Sequence, residues 1–147
     1  MNVDVDTREY GSVLKEMVEQ GMEVSMTVSG TSMEPFLIHK RDRIYFQKPK
    51  GPLKKGDMVF FQRKTGEYVM HRIMKVRDHQ YYLAGDHQTF FEGPIEESQI
   101  FAKVVSVERA GVWLSEDDRI WKFYAVWWRR LYRVRKVVNK LKRIIGK

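Results

Sequence analysis

The sequence predicts a mainly β fold, in which an antiparallel sheet is flanked by one helix near each end of the chain. Short segments alternate between polar and apolar residues, and turn-forming residues such as Gly, Pro and Asp separate them. The connections do not show the βαβ spacing that indicates a parallel sheet. The predicted strands cover residues 23–29, 43–47, 58–62, 68–76, 80–83 and 100–108. Because the connections are short, we expect neighbouring strands to pair as hairpins.

Two helices are predicted from apolar residues that recur at steps of three and four, the spacing of one helical face. The first helix covers residues 7–20 and ends before Gly21. Its apolar face consists of Tyr10, Val13, Leu14, Met17 and Val18. The second helix begins at Ile120 and continues towards the end of the chain. Its apolar stripe consists of Tyr124, Trp127, Leu131, Val134, Val138, Leu141 and Ile145.

The composition is typical of one folded domain and excludes several classes of protein. Of the 147 residues, 43% are hydrophobic, which argues against a disordered chain. The chain has no cysteine, which excludes a disulfide-stapled fold, an iron–sulfur site and a cysteine nucleophile. Its four histidines lack metal-ligand spacing, so we expect no metal and no other cofactor. We also expect neither a signal peptide nor a transmembrane helix, and therefore a cytoplasmic chain that reaches the membrane only peripherally.

Charge is distributed unevenly along the chain. All 19 acidic residues lie within residues 1–118, together with 16 Lys and Arg, whereas the last 29 residues hold 11 bases and no acid. This contrast indicates a mildly acidic body with a strongly basic tail. We therefore divide the chain into an N-terminal amphipathic helix (1–22), a β domain (23–114) and a basic amphipathic C-terminal helix (115–147).

A candidate nucleophile lies where the first predicted strand ends. Residues 29–37 read S-G-T-S-M-E-P-F-L, so Ser32 follows a glycine and precedes a proline that prevents regular helix. A nucleophilic serine needs a rigid, accessible turn with backbone N–H groups free to bind an oxyanion. On local composition alone, an ordinary surface serine in a turn is the more common case, since Ser, Gly and Pro are frequent turn formers.

The order of several segments resembles the signal peptidase I family. Residues 29–37 match that family's nucleophile pattern S-G-x-S-M-x-P-x-L at every fixed position. Further along, residues 56–61 read G-D-M-V-F-F, residues 68–76 read Y-V-M-H-R-I-M-K-V, and residues 84–88 read A-G-D-H-Q. The base position holds His71 followed by Arg-Ile, as in the endoplasmic-reticulum and archaeal type, whereas the bacterial type has a lysine there.

The resemblance implies a LexA/signal-peptidase-like coiled antiparallel β-sheet and a serine peptidase domain over residues 23–114. It implies that Ser32 attacks the peptide bond, that His71 takes and returns the proton, and that Asp86 orients His71. Glu92 is an alternative acid if its loop folds back towards His71. Lys75, four residues after His71 and hence expected on the same strand face, offers a rival Ser–Lys dyad.

The oxyanion hole and substrate cleft are expected around the nucleophile, at Gly30, Thr31, Met33 and Pro35.

The predicted function is that of a serine endopeptidase that resembles signal peptidase I and cleaves a peptide or protein precursor. One alternative is a LexA- or UmuD-like cytosolic peptidase that processes itself, although the segment before Ser32 is too short for a DNA-binding domain. A second alternative is a non-enzymatic module of the same fold that binds membranes or nucleic acid. Intact Ser32 and His71 argue against that second alternative.

The basic tail is expected to lie on an anionic membrane surface. Bases flank its apolar stripe, and its aromatic start suits the boundary between water and lipid, where Trp127, Trp128 and Leu131 would insert. Packing against the protein's own sheet or a partner remains an alternative for this helix. Nucleic-acid binding is not expected, because it requires the charge but not the continuous apolar stripe.

Overall fold

The structure is a computed structural model that describes residues 7–146. The helices are α1 (Thr7–Glu19), α2 (Arg119–Lys122) and α3 (Tyr132–Ile145), with a 3₁₀ helix at Glu97–Gln99 and a π-helix at Phe123–Trp128. The strands are β1 (Val24–Thr27), β2 (Arg43–Gln47), β3 (Met58–Gln62), β4 (Tyr68–Arg77), β5 (Gln80–Ala84), β6 (Glu92–Glu96), β7 (Ile100–Arg109) and β8 (Val112–Ser115).

The eight strands form one sheet in the order β1-β2-β7-β3-β4-β5-β6, and β8 pairs with β7 outside this path. Every pairing is antiparallel. The prediction of a mainly β, antiparallel fold with helices at both ends is therefore confirmed. Strand β7 connects the two halves of the sheet, because it pairs with β2 on one side and β3 on the other.

Two strands were not predicted from the sequence. Strand β6 contains Gly93 and Pro94, which the sequence pattern indicates as a turn. Proline is tolerated there because β6 is the last strand of the sheet and pairs only with β5 among the described residues. Strand β8 is short, and its Val112 and Trp113 are exposed, so it lacks a clear apolar alternation.

The sheet buries apolar side chains on both faces. Successive residues of β3 alternate between two clusters, Met58 and Phe60 in the larger and Val59 and Phe61 in the smaller. The larger cluster also contains Leu14 and Val18 of α1 and Trp121 of α2. The N-terminal helix and the start of the C-terminal segment therefore share a core with the sheet.

The C-terminal segment is not the single continuous helix that its stripe predicts. The π-helix interrupts it, and Leu131, with ψ near zero, separates the π-helix from α3. The part before this break packs on the body through Trp121 and Tyr124, whereas most of α3 is exposed. No described helix combines the length and the apolar character needed to cross a membrane.

Candidate active site

The nucleophile turn, residues 29–37, leaves the sheet directly after β1. Gly30 adopts a positive φ of 88°, a backbone conformation that favours glycine, and this reverses the chain. Met33, Phe36 and Leu37 are buried in the larger core, while Ser32 stays half-buried. The turn is therefore anchored by the residues around the serine, and the serine itself remains accessible.

Ser32 and His71 line the same cleft, which has a volume of about 330 Å³. The strand edge of β1 contributes Met26 and Val28, and the start of β4 contributes Tyr68, Val69 and Met70. The remaining lining residues are Ser29, Gly30, Met33, Phe60, Arg63 and Glu67. The fold thus brings together the two residues that the sequence pattern assigns to the nucleophile and the base.

His71 lies in an almost completely buried position on β4, where it pairs with Val59 and is only 2% exposed. Its Nδ1 atom is buried and makes no hydrogen bond with any residue that the structure describes. Burial lowers the pKa of His71 from its ordinary 6.5 to about 4, an effect that the charge of Glu92 opposes and that of Arg63 strengthens. The imidazole is therefore neutral at pH 7 and able to accept a proton.

An arginine–glutamate pair supplies the charges near His71. Arg63 binds Glu92 through both Nε, at 2.8 Å, and Nη2, at 2.7 Å, and its Nη1 binds Glu67 at 2.7 Å. Glu92 is the alternative acid that the sequence suggested, whereas Arg63 was not predicted. No sequence motif links these two residues, because the turn after β3 and the edge strand β6 meet only in the folded sheet.

The structure does not bring Asp86 to His71. The carboxylate of Asp86 instead accepts two hydrogen bonds from Arg72, from Nε at 2.7 Å and from Nη2 at 2.9 Å. Arg72 also donates to the Gly56 carbonyl at 2.7 Å, and both members of the pair are buried. The expectation that Asp86 orients His71 therefore needs correction, and the reason is strand geometry. Arg72 follows His71 on β4, so its side chain points to the opposite face.

The loop that carries Asp86 supports the nucleophile turn from behind. The His87 N–H donates to the Ser32 carbonyl at 2.9 Å. Gly85 lies so close to Ser32 that an added Cβ would overlap the same carbonyl oxygen. On the far side of the loop, Trp128 Nε1 and Arg135 Nη1 donate to the Asp86 carbonyl at 2.8 and 2.6 Å. The C-terminal segment thus holds the loop that holds Ser32.

The other predicted cleft residues are divided between the two sides of the turn. Gly30 and Met33 line the cleft, and the Gly30 N–H donates to His39 Nδ1 at 2.8 Å. Thr31 is exposed and its carbonyl accepts the Glu34 N–H, which closes the turn. Pro35 does not line the cleft but a groove beneath α3, so its expected place in the substrate cleft is corrected.

Lys75 does not share the environment of His71. A bulge between Ile73 and Lys75 interrupts the alternation of β4, so a spacing of four residues no longer means the same face. Lys75 is exposed, and its ammonium lies 5.6 Å from the ring centre of Tyr82, outside the cleft. This geometry gives no support to a Ser–Lys dyad.

The three residues predicted for the membrane surface have different environments. Trp127 is 59% exposed and Leu131 is also exposed. Trp128 is half-buried and donates a hydrogen bond to the Asp86 carbonyl, so it contacts the protein's own body. In the described part of the chain, no group of three or more His, Asp or Glu side chains could hold a metal ion.

Comparison with known proteins identifies the family. The sequence model of the peptidase S24-like family matches residues 2–105, a range that includes Ser32, His71 and Asp86 and leaves out the basic tail. No curated protein matches the chain. The matched range covers well over half of the sequence and agrees with the observed antiparallel sheet. The chain therefore belongs to the peptidase S24-like family, within the LexA/signal peptidase I-like superfamily of serine peptidases.

Proposed function

We propose that this chain is an active serine endopeptidase that resembles signal peptidase I in its chemistry, with Ser32 as nucleophile and His71 as general base. The observation that carries the proposal is that these two residues line one cleft although they lie far apart in the sequence. The family supports the reaction class, which is hydrolysis of a peptide bond. The proposed substrate is a peptide or protein precursor.

The proposed reaction proceeds through an acyl-enzyme. His71 accepts the Ser32 Oγ proton as Oγ attacks the carbonyl carbon of the substrate, and the backbone N–H of Ser32 binds the oxyanion. The imidazolium then gives its proton to the leaving amine as the peptide C–N bond breaks. In the second half, His71 deprotonates a water molecule that attacks the ester, and Ser32 recovers its proton as the new carboxylate leaves.

The third member of the proposed site is Glu92 rather than Asp86. His71 becomes positively charged during the reaction, and the negative charge of Glu92 favours that charged form. Glu92 acts through space, because its carboxylate is held by Arg63. The charge of Glu92 therefore offsets part of the penalty that burial imposes on the imidazolium, while the charge of Arg63 adds to that penalty.

The substrate is proposed to bind as an extended strand beside β1. Strand β1 pairs with β2 on one side only among the described residues, which leaves its other edge available for main-chain hydrogen bonds. Met26, Val28 and Ser29 at this edge line the cleft together with Ser32. A peptide paired there would lie along the cleft, with its scissile bond at Ser32 and alternate side chains directed towards the apolar walls.

Cleavage of a library of internally quenched peptides, analysed by mass spectrometry, tests the proposal. Ser32→Ala should lower the rate by at least a thousandfold, on the order of other nucleophile deletions, without changing the melting temperature. Ser29→Ala is the matched control, because Ser29 lines the same cleft and has no proposed chemical role. A Ser32→Ala variant that retains a tenth of the activity, or equal losses in both variants, would contradict the assignment.

Self-processing is the second candidate function, and the match to the peptidase S24-like family favours it. The intact mass of the purified chain, followed over time at two concentrations, distinguishes the candidates. Intramolecular processing has a first-order rate that does not depend on protein concentration and is abolished by Ser32→Ala. A chain that stays intact while it cleaves added peptides acts on other molecules.

A further inference from the structure

We propose that α3 is a docking helix for an anionic lipid surface, with the apolar side of the helix facing the lipid. The proposal concerns a part of the chain outside the range matched by the peptidase family. It does not depend on whether Ser32 and His71 are catalytic.

The exposed apolar side chains of α3 form the first part of the argument. Six of them are at least 41% exposed: Val134, Val137, Val138, Leu141, Ile144 and Ile145. They recur at the spacing of one helical face, and Trp127 and Leu131, before the start of α3, are exposed as well. Large apolar side chains that are grouped together and exposed mark an interaction surface rather than an ordinary exterior.

The charge around this stripe indicates the kind of partner. The last 29 residues contain 11 bases and no acid. On α3, Lys136, Lys140, Lys142 and Arg143 are exposed beside the apolar face. A helix with an apolar face and a basic polar face lies in the boundary region of anionic membranes, where lysine and arginine are attracted to the headgroups.

The contacts of α3 argue against the alternative partners. Among the described residues, the start of α3 is held by the body through the Arg135 hydrogen bond to the Asp86 carbonyl, and Val134 and Val138 line a groove between α3 and the body. Its later apolar residues are exposed, so the protein's own sheet does not cover them. A second copy of α3 would present the same uncompensated positive charge, and like charges repel across a helix pair. Nucleic acid would attract the bases but would leave the apolar stripe in water.

Sedimentation with vesicles of phosphatidylcholine, with and without phosphatidylglycerol, tests the proposal in the full-length chain. The protein should pellet with the anionic vesicles, stay in solution with the neutral ones, and be released by high salt. Val138→Gln with Leu141→Gln should weaken binding by about tenfold or more, because the apolar contact is lost while the charge and the helix propensity are kept. Lys140→Gln, Lys142→Gln and Arg143→Gln together should weaken binding at least as much.

Two controls make the result decisive. Asn139→Gln changes α3 outside the stripe and leaves the charge unaltered, so it should bind like the unmodified chain. Ser32→Ala should also bind normally, which separates this proposal from the peptidase proposal. The proposal is overturned if the Val138→Gln, Leu141→Gln variant binds anionic vesicles as tightly as the unmodified chain, or if the chain binds neutral and anionic vesicles equally. It is also overturned if the chain binds neither kind of vesicle and sediments as a dimer instead.

Discussion

The two faces of strand β4 carry arginine–carboxylate pairs of the same geometry in opposite surroundings. Beside His71, Arg63 and Glu92 are 33% and 24% exposed. On the other side, Arg72 and Asp86 are 0% and 2% exposed, and the carbonyl of Gly56 takes a further hydrogen bond. The partly exposed pair adjusts the charge around His71, whereas the buried pair fixes the position of the loop behind Ser32.

The contrast shows how a small sheet can combine a proposed reactive site with a rigid support. On the face of His71, its Nδ1 atom makes no hydrogen bond with the described residues. On the opposite face, Arg72, Trp128 and Arg135 all bind the Asp86 residue, through its side chain or its carbonyl. These hydrogen bonds hold the loop behind the proposed nucleophile in place.

The largest expected effect comes from breaking the buried pair. Asp86→Ala should destabilise the fold by about 3–5 kcal/mol, because it leaves the Arg72 guanidinium buried without its counter-charge. Activity should fall with stability, since the loop that binds the Ser32 carbonyl loses its anchor. Urea unfolding followed by tryptophan fluorescence measures the change.

Glu92→Ala is the matched control for Asp86→Ala, because it breaks the partly exposed pair. It should cost at most about 1 kcal/mol of stability. Replacing both members of the buried pair, Arg72→Met with Asp86→Leu, should recover part of the lost stability. Equal destabilisation by Asp86→Ala and Glu92→Ala would show that the two faces of β4 do not differ in the way described.

The second expected effect is on the pH dependence of activity. His71 must be neutral to accept a proton, so kcat/KM should fall as the pH drops through its pKa, near 4 rather than near 6.5. Removing the positive charge with Arg63→Met should raise the pKa of His71 and move the acid limb to higher pH. Removing the negative charge with Glu92→Gln should lower that pKa and move the limb to lower pH.

Profiles of kcat/KM between pH 3 and pH 8, measured for the unmodified chain and the two variants in one buffer series, check the directions of the two shifts. Opposite shifts in the two variants would show that charge, and not a change of shape, controls the base. An acid limb that stays in place in both variants would remove Arg63 and Glu92 from the proposed site.

The smallest expected effect tests the contact between the tail and the loop. Trp128→Phe keeps the aromatic ring but removes the indole donor to the Asp86 carbonyl, so it should cost about 0.5–1.5 kcal/mol of stability. It should lower kcat several-fold with little change in KM, because the nucleophile turn loses support while the cleft walls are unaltered. Trp113→Phe, at an exposed indole of β8, is the control and should change neither the stability nor kcat. A change in KM alone would place Trp128 in substrate binding instead.

Much of the fold could be predicted because alternation and turn residues determine strands locally. Ser32 and His71 were predicted from their motifs, and both line one cleft in the folded sheet, while their catalytic roles stay a prediction. The partner of Asp86 was predicted wrongly, since Asp86 binds Arg72 and not His71. Strand alternation, which places the neighbours His71 and Arg72 on opposite faces, already indicated that one acid cannot bind both. The bulge near Lys75 and the proline in β6 were not predictable, since both depend on neighbouring strands.

The pairing of Arg63 with Glu92 also lies beyond sequence reasoning. It arises because the β3–β4 turn and the β6 edge come together after the sheet has formed. Long-range pairs of common charged residues have no local pattern that distinguishes them from solvated surface residues. The sequence therefore indicated the proposed nucleophile and base but not the charged residues around the proposed base.

The close approach of Gly85 to the Ser32 carbonyl bears on how related chains diverge. A relative could keep the serine and histidine yet carry a larger residue at this position, and its nucleophile turn would then be displaced by the added side chain. Such a relative would retain the motif residues and the sheet but not the position of the serine. Under the proposed function, the glycine that precedes the aspartate is therefore as necessary to the site as the serine itself.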